Sequence, residues 1–340
     1  MENNPENLSG GEKLNEPAFV NPSLQNLDKI TSAVQQARIE IRKYVIGQDE
    51  MCELLLIGIL CNGHVLLEGV PGIAKTLTAK VLAKTLNAKF ARIQFTPDLM
   101  PSDIIGTSVY NLQNGSFTFK RGPIFCNIVL IDEINRAPAK TQAALFEVME
   151  ERQVTHDGTT NVLEFPFLVL ATQNPVEQEG TYRLPEAQLD RFLFRIKLHY
   201  PSKTEEVDIL SRYRESLGSP DLDLVQHVFS PASLKDIQQK VTKVSISDAI
   251  LKYIAEIVTQ TREHGNLFLG ASPRASLALM RTSKALAALR GRDFVTPDDV
   301  QFLTQHVLNH RIILTPEAEM EGVTPEDVVR EIIQKVEVPR

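Results

Sequence analysis

The chain has 340 residues, of which 43% are hydrophobic and 23% charged, and 36 basic against 43 acidic side chains give a formal net charge of −7. This is an ordinary globular mixture, long enough for about two domains. An acidic chain grips nucleic-acid phosphates only through a local basic stripe, and here nothing exceeds a pair such as Lys120-Arg121.

Cys52, Cys61 and Cys126 form no Cys-x-x-Cys and no paired framework, which suits thiols kept reduced and packed as small hydrophobes. The start, Met1-Glu-Asn-Asn-Pro, lacks the basic and apolar regions of a signal peptide. The longest apolar run, around residues 54–61, is far too short to span a bilayer. The expectation is a soluble, cytoplasmic protein with no membrane insertion.

Residues 1–22 are rich in Asn, Glu, Gly and Pro and almost devoid of large apolar side chains, which predicts a loose tail. Over 24–44, Leu27, Ile30, Val34, Ala37 and Ile41 recur at helical spacing. Val45-Ile-Gly-Gln48 breaks that pattern, and a second helix runs through Leu60. Strands at 64–67, 89–95, 127–131, 167–171 and 192–198 then alternate with helices at 75–86 and 139–151. Such alternation, with continuously apolar strands, predicts a parallel sheet covered by helices on both faces. Asn114-Gly115 within 108–119 and Asp157-Gly158 within 153–165 are turn signals between β-prone runs, so two β-hairpins are inserted in this core.

After Tyr200-Pro201 the strand signals stop. Helical patterns follow at 204–216, 231–241, 248–263, 273–290, 297–309 and 325–335, several opening with Ser-Pro or Thr-Pro, an N-cap and first-turn pair. The expected organisation is a tail (1–22), an α/β domain (23–200) and a smaller all-helical domain (201–340) ending in a helix.

Three motifs carry chemistry. Gly69-Val70-Pro71-Gly72-Ile73-Ala74-Lys75-Thr76 lies between a strand and a helix. Backbone N–H groups and a helix N-terminus there cradle phosphate, the glycines permit close approach, Lys75 meets the outer phosphates and the Thr76 hydroxyl serves Mg²⁺. Ala74 replaces the expected last glycine, which the loop tolerates if that position keeps negative φ. Ile128-Val-Leu-Ile-Asp132-Glu133 buries a strand and delivers two acids at its carboxyl end, where open α/β sheets bind ligands. Asp132 is placed to hold Mg²⁺ directly or through water, and Glu133 to orient the attacking water. Leu170-Ala-Thr-Gln-Asn174-Pro175 ends another strand; Asn174 either bonds the γ-phosphate or the water, or simply forms an Asn-Pro turn.

Gly69–Thr76, Asp132-Glu133-Ile-Asn-Arg136, Ala171-Thr-Gln-Asn174-Pro175, Leu189-Asp-Arg191-Phe192 and Gly270-Ala-Ser-Pro-Arg274-Ala275, in this order, together resemble the MoxR family of AAA+ ATPases. The likeness covers roughly residues 24–310, and an alanine at the position of Ala74 is typical of that family. It implies that the two hairpins are a helix-2 insert and a pre-sensor hairpin, that the smaller domain is an AAA+ lid, and that subunits form a hexameric ring with ATP and Mg²⁺ between them. It further implies a sensor-1 role for Asn174, an arginine finger at Arg191 with Arg195 as competitor, and a sensor-2 role for Arg274, in cis or in trans. The ATP-binding set it implies is Ile46, Gly47 and Gln48 around adenine, then Gly69, Val70, Pro71, Gly72, Ile73, Ala74, Lys75, Thr76 and Leu77. Arg136 either contacts an adjacent subunit or is a surface arginine.

Three weaker features have plain readings. His306 and His310 have the spacing of a zinc helix but no third ligand and no general-base glutamate, so they read as a helix face. Leu277, Met280, Ser283, Leu286 and Leu289 read as core packing. Arg290-Gly-Arg292-Asp293 reads as a solvated basic turn.

The expected function is ATP hydrolysis (ATP and water to ADP and phosphate) driving chaperone-like remodelling or maturation of protein complexes. The resemblance implies partners with von Willebrand factor A-type domains and, in some settings, metal-cofactor insertion. The first alternative, a nucleic-acid-stimulated motor, is disfavoured by hairpin tips without lysine or arginine (Asn111 to Gly115 and Thr155 to Thr160). The second, a switch that binds ATP without turnover, is disfavoured by the intact Asp132-Glu133 pair.

Overall fold

A strand that is apolar at every position needs cover on both faces, and the central sheet is built that way. The computed structural model describes residues 22–113, 115–175, 181–182, 184–214 and 220–339. The expected tail, but for Pro22, lies outside these residues, as do Asn114 in the first hairpin turn and residues 215–216 of an expected helix. Helices α1 (Pro22–Arg42) and α2 (Asp49–Leu60) precede β1 (His64–Glu68), α3 (Lys75–Thr85) and β2 (Phe90–Gln94). Then come α4 (Pro101–Ile105), β3 (Gly106–Asn111), β4 (Ser116–Arg121), β5 (Ile128–Asp132), α5 (Ala139–Glu151), β6 (Gln153–His156) and β7 (Thr159–Val162). β8 (Leu168–Gln173), α6 (Glu186–Leu189) and β9 (Phe192–Lys197) complete the module. Five strands form a parallel sheet in the order β2-β5-β8-β1-β9.

The period of two along each strand divides the core. Val65, Leu67, Ile128, Leu130, Leu168, Leu170, Phe194 and Ile196 face α1, α2, α3 and the C-terminal helices in one apolar cluster. Leu66, Val129, Ile131, Val169, Ala171 and Phe192 face Leu145, Phe146 and Met149 of α5 in another. The edge strand β2 is only half covered, and its polar Arg92 and Gln94 are exposed.

Both expected hairpins form. β6 and β7 are joined by Asp157 and Gly158 with φ of 48° and 74°, the two positive values a tight primed turn requires. β3 and β4 pair antiparallel, and Ser108 Oγ meets His156 Nε2 at 3.0 Å and Asp157 Oδ2 at 2.8 Å, so the two hairpins are braced together. Phe119 and the His156 ring add a 5.0 Å ring contact.

The C-terminal part consists of α7 (Lys203–Arg212), α8 (Pro231–Thr242), α9 (Asp248–Glu263), α10 (Pro273–Leu289), α11 (Pro297–Leu308), α12 (Pro316–Met320) and α13 (Pro325–Lys335). Ser230, Thr296 and Thr324 cap their helices with proline in the first turn. It is not purely helical: β10 (Leu267–Leu269) pairs antiparallel with β11 (Ile313–Leu314). These runs are too short to show alternation, and so escape a periodicity reading.

Two plain readings need correction. The turn at Arg290 to Asp293 is not simply solvated, because Arg292 Nη2 and Nη1 reach Asp299 Oδ1 and Oδ2 at 2.6 and 2.8 Å, and the Asp299 side chain is wholly buried. Of the stripe on α10, Ser283, Leu286 and Leu289 are buried and Met280 packs half-buried against the core, but Leu277 is 49% exposed, and Ala275, Ala278, Leu279 and Thr282 complete the buried face. The two histidines have separate surroundings: His306, on α11, lies 3.3 Å from Glu50, and His310, beyond the helix end, bonds the Phe192 carbonyl. Among the described residues no helix is long and apolar enough to cross a membrane.

His64 couples the fold to pH. Its Nδ1 accepts from the Val169 N–H (2.9 Å) while Nε2 lies 3.0 Å from the Met149 carbonyl, which fixes the neutral tautomer. Burial, reinforced by nearby Arg152, pushes its pKa down to about 4. The unfolded chain therefore binds more protons between that value and the ordinary one near 6.5, and stability is lost as pH falls through this window. By pH 5 His64 should cost the wild type about 2 kcal/mol relative to neutrality. Urea unfolding of His64→Gln should show a flatter pH dependence than wild type between pH 7 and 5; parallel curves would exclude this role.

Candidate active site

Register brings the motif ends together. Gln94 pairs with Asp132 and Glu68 with Gln173, so the loop after β1 and the ends of β2, β5 and β8 meet at one edge of the sheet. A cleft of about 360 Å³ opens there, lined by Pro71, Gly72, Ala74, Lys75, Thr76, Leu77, Arg92, Gln94, Asp132, Glu133, Thr172 and Asn174.

In the loop, Gly72 has φ of 89°, and a Cβ on Gly69 would meet Ile73 Cδ1 at 2.6 Å. Ala74 departs from its expectation: its φ is 60°, left-handed, a conformation that costs an L-residue roughly 1–2 kcal/mol. Lys75 Nζ donates to the Gly69 carbonyl at 2.7 Å. Burial lowers its pKa, opposed by Asp132 and Glu133.

The acids are held by Arg92 and Gln94, which lie outside the motifs, and by Thr172 and Arg136, which lie within them. Arg92 Nε donates to Asp132 Oδ2 at 2.5 Å, and the Thr172 hydroxyl to Asp132 Oδ1 at 3.2 Å. Thr172 Oγ1 also accepts the Glu133 N–H at 3.0 Å. Gln94 Nε2 donates to Glu133 Oε2 at 2.7 Å, and Arg136 Nε is 3.0 Å from the same oxygen. Glu133 is left-handed (φ 57°), backbone strain of the kind that gathers at functional sites. Arg92 and Gln94 could have been found in sequence only as polar residues at the carboxyl end of a strand, whereas Thr172 stands in the Leu170 to Pro175 motif, which gave it no role.

The remaining candidates lie elsewhere. Arg191 Nη2 is 2.9 Å from Glu150 Oε2 and Arg274 Nη2 is 3.3 Å from Glu150 Oε1, so two arginines share one carboxylate. Together with Arg152 and Arg281 they border a separate cleft of about 370 Å³, on which Leu277 also opens. Arg195 turns inward, its Nε 2.5 Å from Glu68 Oε2. Ile46, Gly47 and Gln48 do not line the first cleft. Gly47 abuts Glu205, and Gln48 Nε2 donates to the His199 carbonyl at 3.3 Å.

Residues 64–194 match the ATPase family associated with various cellular activities (AAA), and residues 259–332 match the AAA lid domain. Chaperone MoxR1 of Mycobacterium tuberculosis is 44% identical over 316 residues, covering 90% of this chain and 82% of that protein. The chain belongs to the MoxR family of AAA+ ATPases. YeaC of Bacillus subtilis, whose name assigns it no function, is 50% identical over 299 residues (88% of this chain, 92% of that one). A crystal structure of a provisionally assigned ATPase from Cytophaga hutchinsonii superposes with a TM-score of 0.85 at 47% identity, covering 94% of this chain and 97% of that one. The parallel sheet followed by a helical lid is thus the shared AAA+ architecture, and ATPase chemistry is the family's activity.

The left-handed Ala74 gives this MoxR loop a measurable signature. Ala74→Gly should raise stability by about 1 kcal/mol, the relieved strain exceeding the entropy that glycine adds to the unfolded chain. Urea unfolding checks this, and a loss of stability would contradict the left-handed conformation.

Proposed function

We propose that this chain hydrolyses Mg-ATP in the first cleft, and that each site is completed by arginines from a second copy. The observation that carries this reading is the division of labour: Lys75, Thr76, Asp132, Glu133 and Asn174 line one cleft, while Arg191 and Arg274 converge on Glu150 outside it. In this reading Arg274 acts in trans with Arg191, and Arg195 serves structure. A ring, hexameric by family likeness, brings one copy's arginine face to the next copy's cleft.

Within the cleft, the loop from Gly69 to Leu77 presents backbone N–H groups to the phosphates, and Lys75 exchanges the Gly69 carbonyl for phosphate oxygen. By family likeness Ile46 to Gln48 would flank the adenine beyond the lining of that cleft. Thr76 and Asp132 are hard oxygen donors suited to magnesium. Both Asp132 oxygens already accept hydrogen bonds, so its remaining lone pairs suit a water of the cation's shell. Bound magnesium supplies neutralisation of phosphate charge. Glu133, released from Gln94 and Arg136, orients and polarises the attacking water, and Asn174 holds that water or the γ-phosphate. Arg191 and Arg274 offset charge on the transferring phosphoryl group.

The purpose of turnover in this reading is chaperone-like remodelling or maturation of protein complexes. It is supported by the likeness to a protein named Chaperone MoxR1 and by a first hairpin whose exposed Leu112 and Phe117 suit polypeptide better than phosphate. Partners with von Willebrand factor A-type domains and metal-cofactor insertion remain part of this proposal through family likeness. Co-purification with such a partner tests it, whereas salt-sensitive stimulation of turnover by DNA would favour a nucleic-acid motor.

Lys75→Ala should abolish ATP binding or turnover, and Glu133→Gln should bind ATP without releasing phosphate; wild-type phosphate release by either removes that residue from its role. Arg191→Ala should keep nucleotide affinity and lower kcat by about 10³-fold or more. Arg195→Ala should instead lower the thermal midpoint by uncovering Glu68. Loss of turnover in Arg195→Ala alone, with normal folding, would transfer the finger role to Arg195.

A further inference from the structure

We infer that the lid sets the position of the arginines offered to a neighbouring subunit, through a clamp on Asp190 made by Arg311 and Ser272. Asp190 and Arg311 are then positioning residues for turnover; this rests on the reading of Arg191 and Arg274 as arginines acting in trans.

Arg311 follows α11, and its side chain is 4% exposed. A guanidinium has five N–H donors in a fixed planar fork. Nε donates to Asp190 Oδ1 (2.7 Å), Nη2 to the carbonyls of Asp190 (3.2 Å) and Phe192 (2.6 Å), and Nη1 to those of Leu193 (3.3 Å) and Val307 (2.5 Å). Four of these five bonds fall on residues 190–193, so the peptide unit that leads into Arg191 and the two units that follow Phe192 and Leu193 are held from the lid. The neighbouring lid residues add to the grip: His310 bonds the Phe192 carbonyl and Asn309 Nδ2 donates to the Arg195 carbonyl at 3.2 Å.

The second oxygen of Asp190 points to a different lid element. Ser272, at the start of α10, donates to Asp190 Oδ2 at 3.2 Å, and Arg274 Nη1 lies 4.0 Å from that oxygen. One carboxylate thus joins the end of α11 to the beginning of α10, and both trans arginines lie within two residues of its anchors. A seam needed only for cohesion could be made with apolar side chains. A buried fork aimed at the backbone around Arg191 fixes direction as well as distance. Misplacing a reacting group by about 1 Å can cost 10²-fold in rate, which is the sensitivity such a clamp protects.

The test uses the full chain with Asp190→Asn and Arg311→Lys. Asp190→Asn preserves size and an acceptor for Arg311 but removes the charge. It should lower kcat about ten- to hundredfold, leaving KM and the affinity of its own cleft for a fluorescent ATP analogue unchanged. Arg311→Lys should act in the same direction. Mixing Asp190→Asn with Glu133→Gln subunits should restore turnover, because intact arginines then face intact clefts, and restoration should match that of Arg191→Ala in the same mixture. Wild-type kcat in Asp190→Asn, or a loss that mixing does not restore while Arg191→Ala is restored, overturns the proposal. If Arg191→Ala itself is not restored, the trans reading fails and the clamp falls with it.

Discussion

Parallel pairing of β1, β5 and β8 ends three buried strands at one level of the sheet. At that edge the backbone turns outward into the Gly69–Thr76 loop, the Asp132-Glu133 pair and Asn174. Strands apolar on both faces are held in register by the shapes packed on them, because a slip of one residue would exchange the residues buried beneath α5 for those buried beneath α1, α2, α3 and the C-terminal helices. Packing on the two faces therefore aligns the polar ends, and the cleft depends on core residues as much as on its own lining.

The acids in that cleft are restrained before any nucleotide arrives. Asp132 is shared between Arg92 and Thr172, and Glu133 between Gln94 and Arg136, on a left-handed backbone. A charged pair in a half-buried site is costly unless each oxygen has a partner. The polar side chains of the edge strand β2 meet that need. They can do so because β2 is the one strand of this part of the sheet that is covered incompletely.

Sequence revealed what is local and periodic. The strands, the long helices, both hairpins and the Ser-Pro and Thr-Pro helix starts could be read because spacing and caps are written in consecutive residues. The cleft's Lys75, Thr76, Asp132, Glu133 and Asn174 could be read because motifs at strand ends converge in a parallel sheet. Pairings between distant segments could not be read: Arg92 with Asp132, Arg311 with Asp190, and Arg191 and Arg274 with Glu150 are separated by 40 residues or more. The left-handed Ala74 also escaped, since nothing in an alanine announces positive φ.

Helix α5 relates the two kinds of cleft. It begins just beyond Glu133 and Arg136, and near its far end Glu150 holds the paired arginines; its 13 residues amount to a rod of about 20 Å. The braced hairpins leave the same rod where β6 starts. It is packed on the sheet through Leu145, Phe146 and Met149, which ties its two ends to one core. In the proposed ring, a tilt of this strut would move the acidic end at one neighbour and the Glu150 end at the other together.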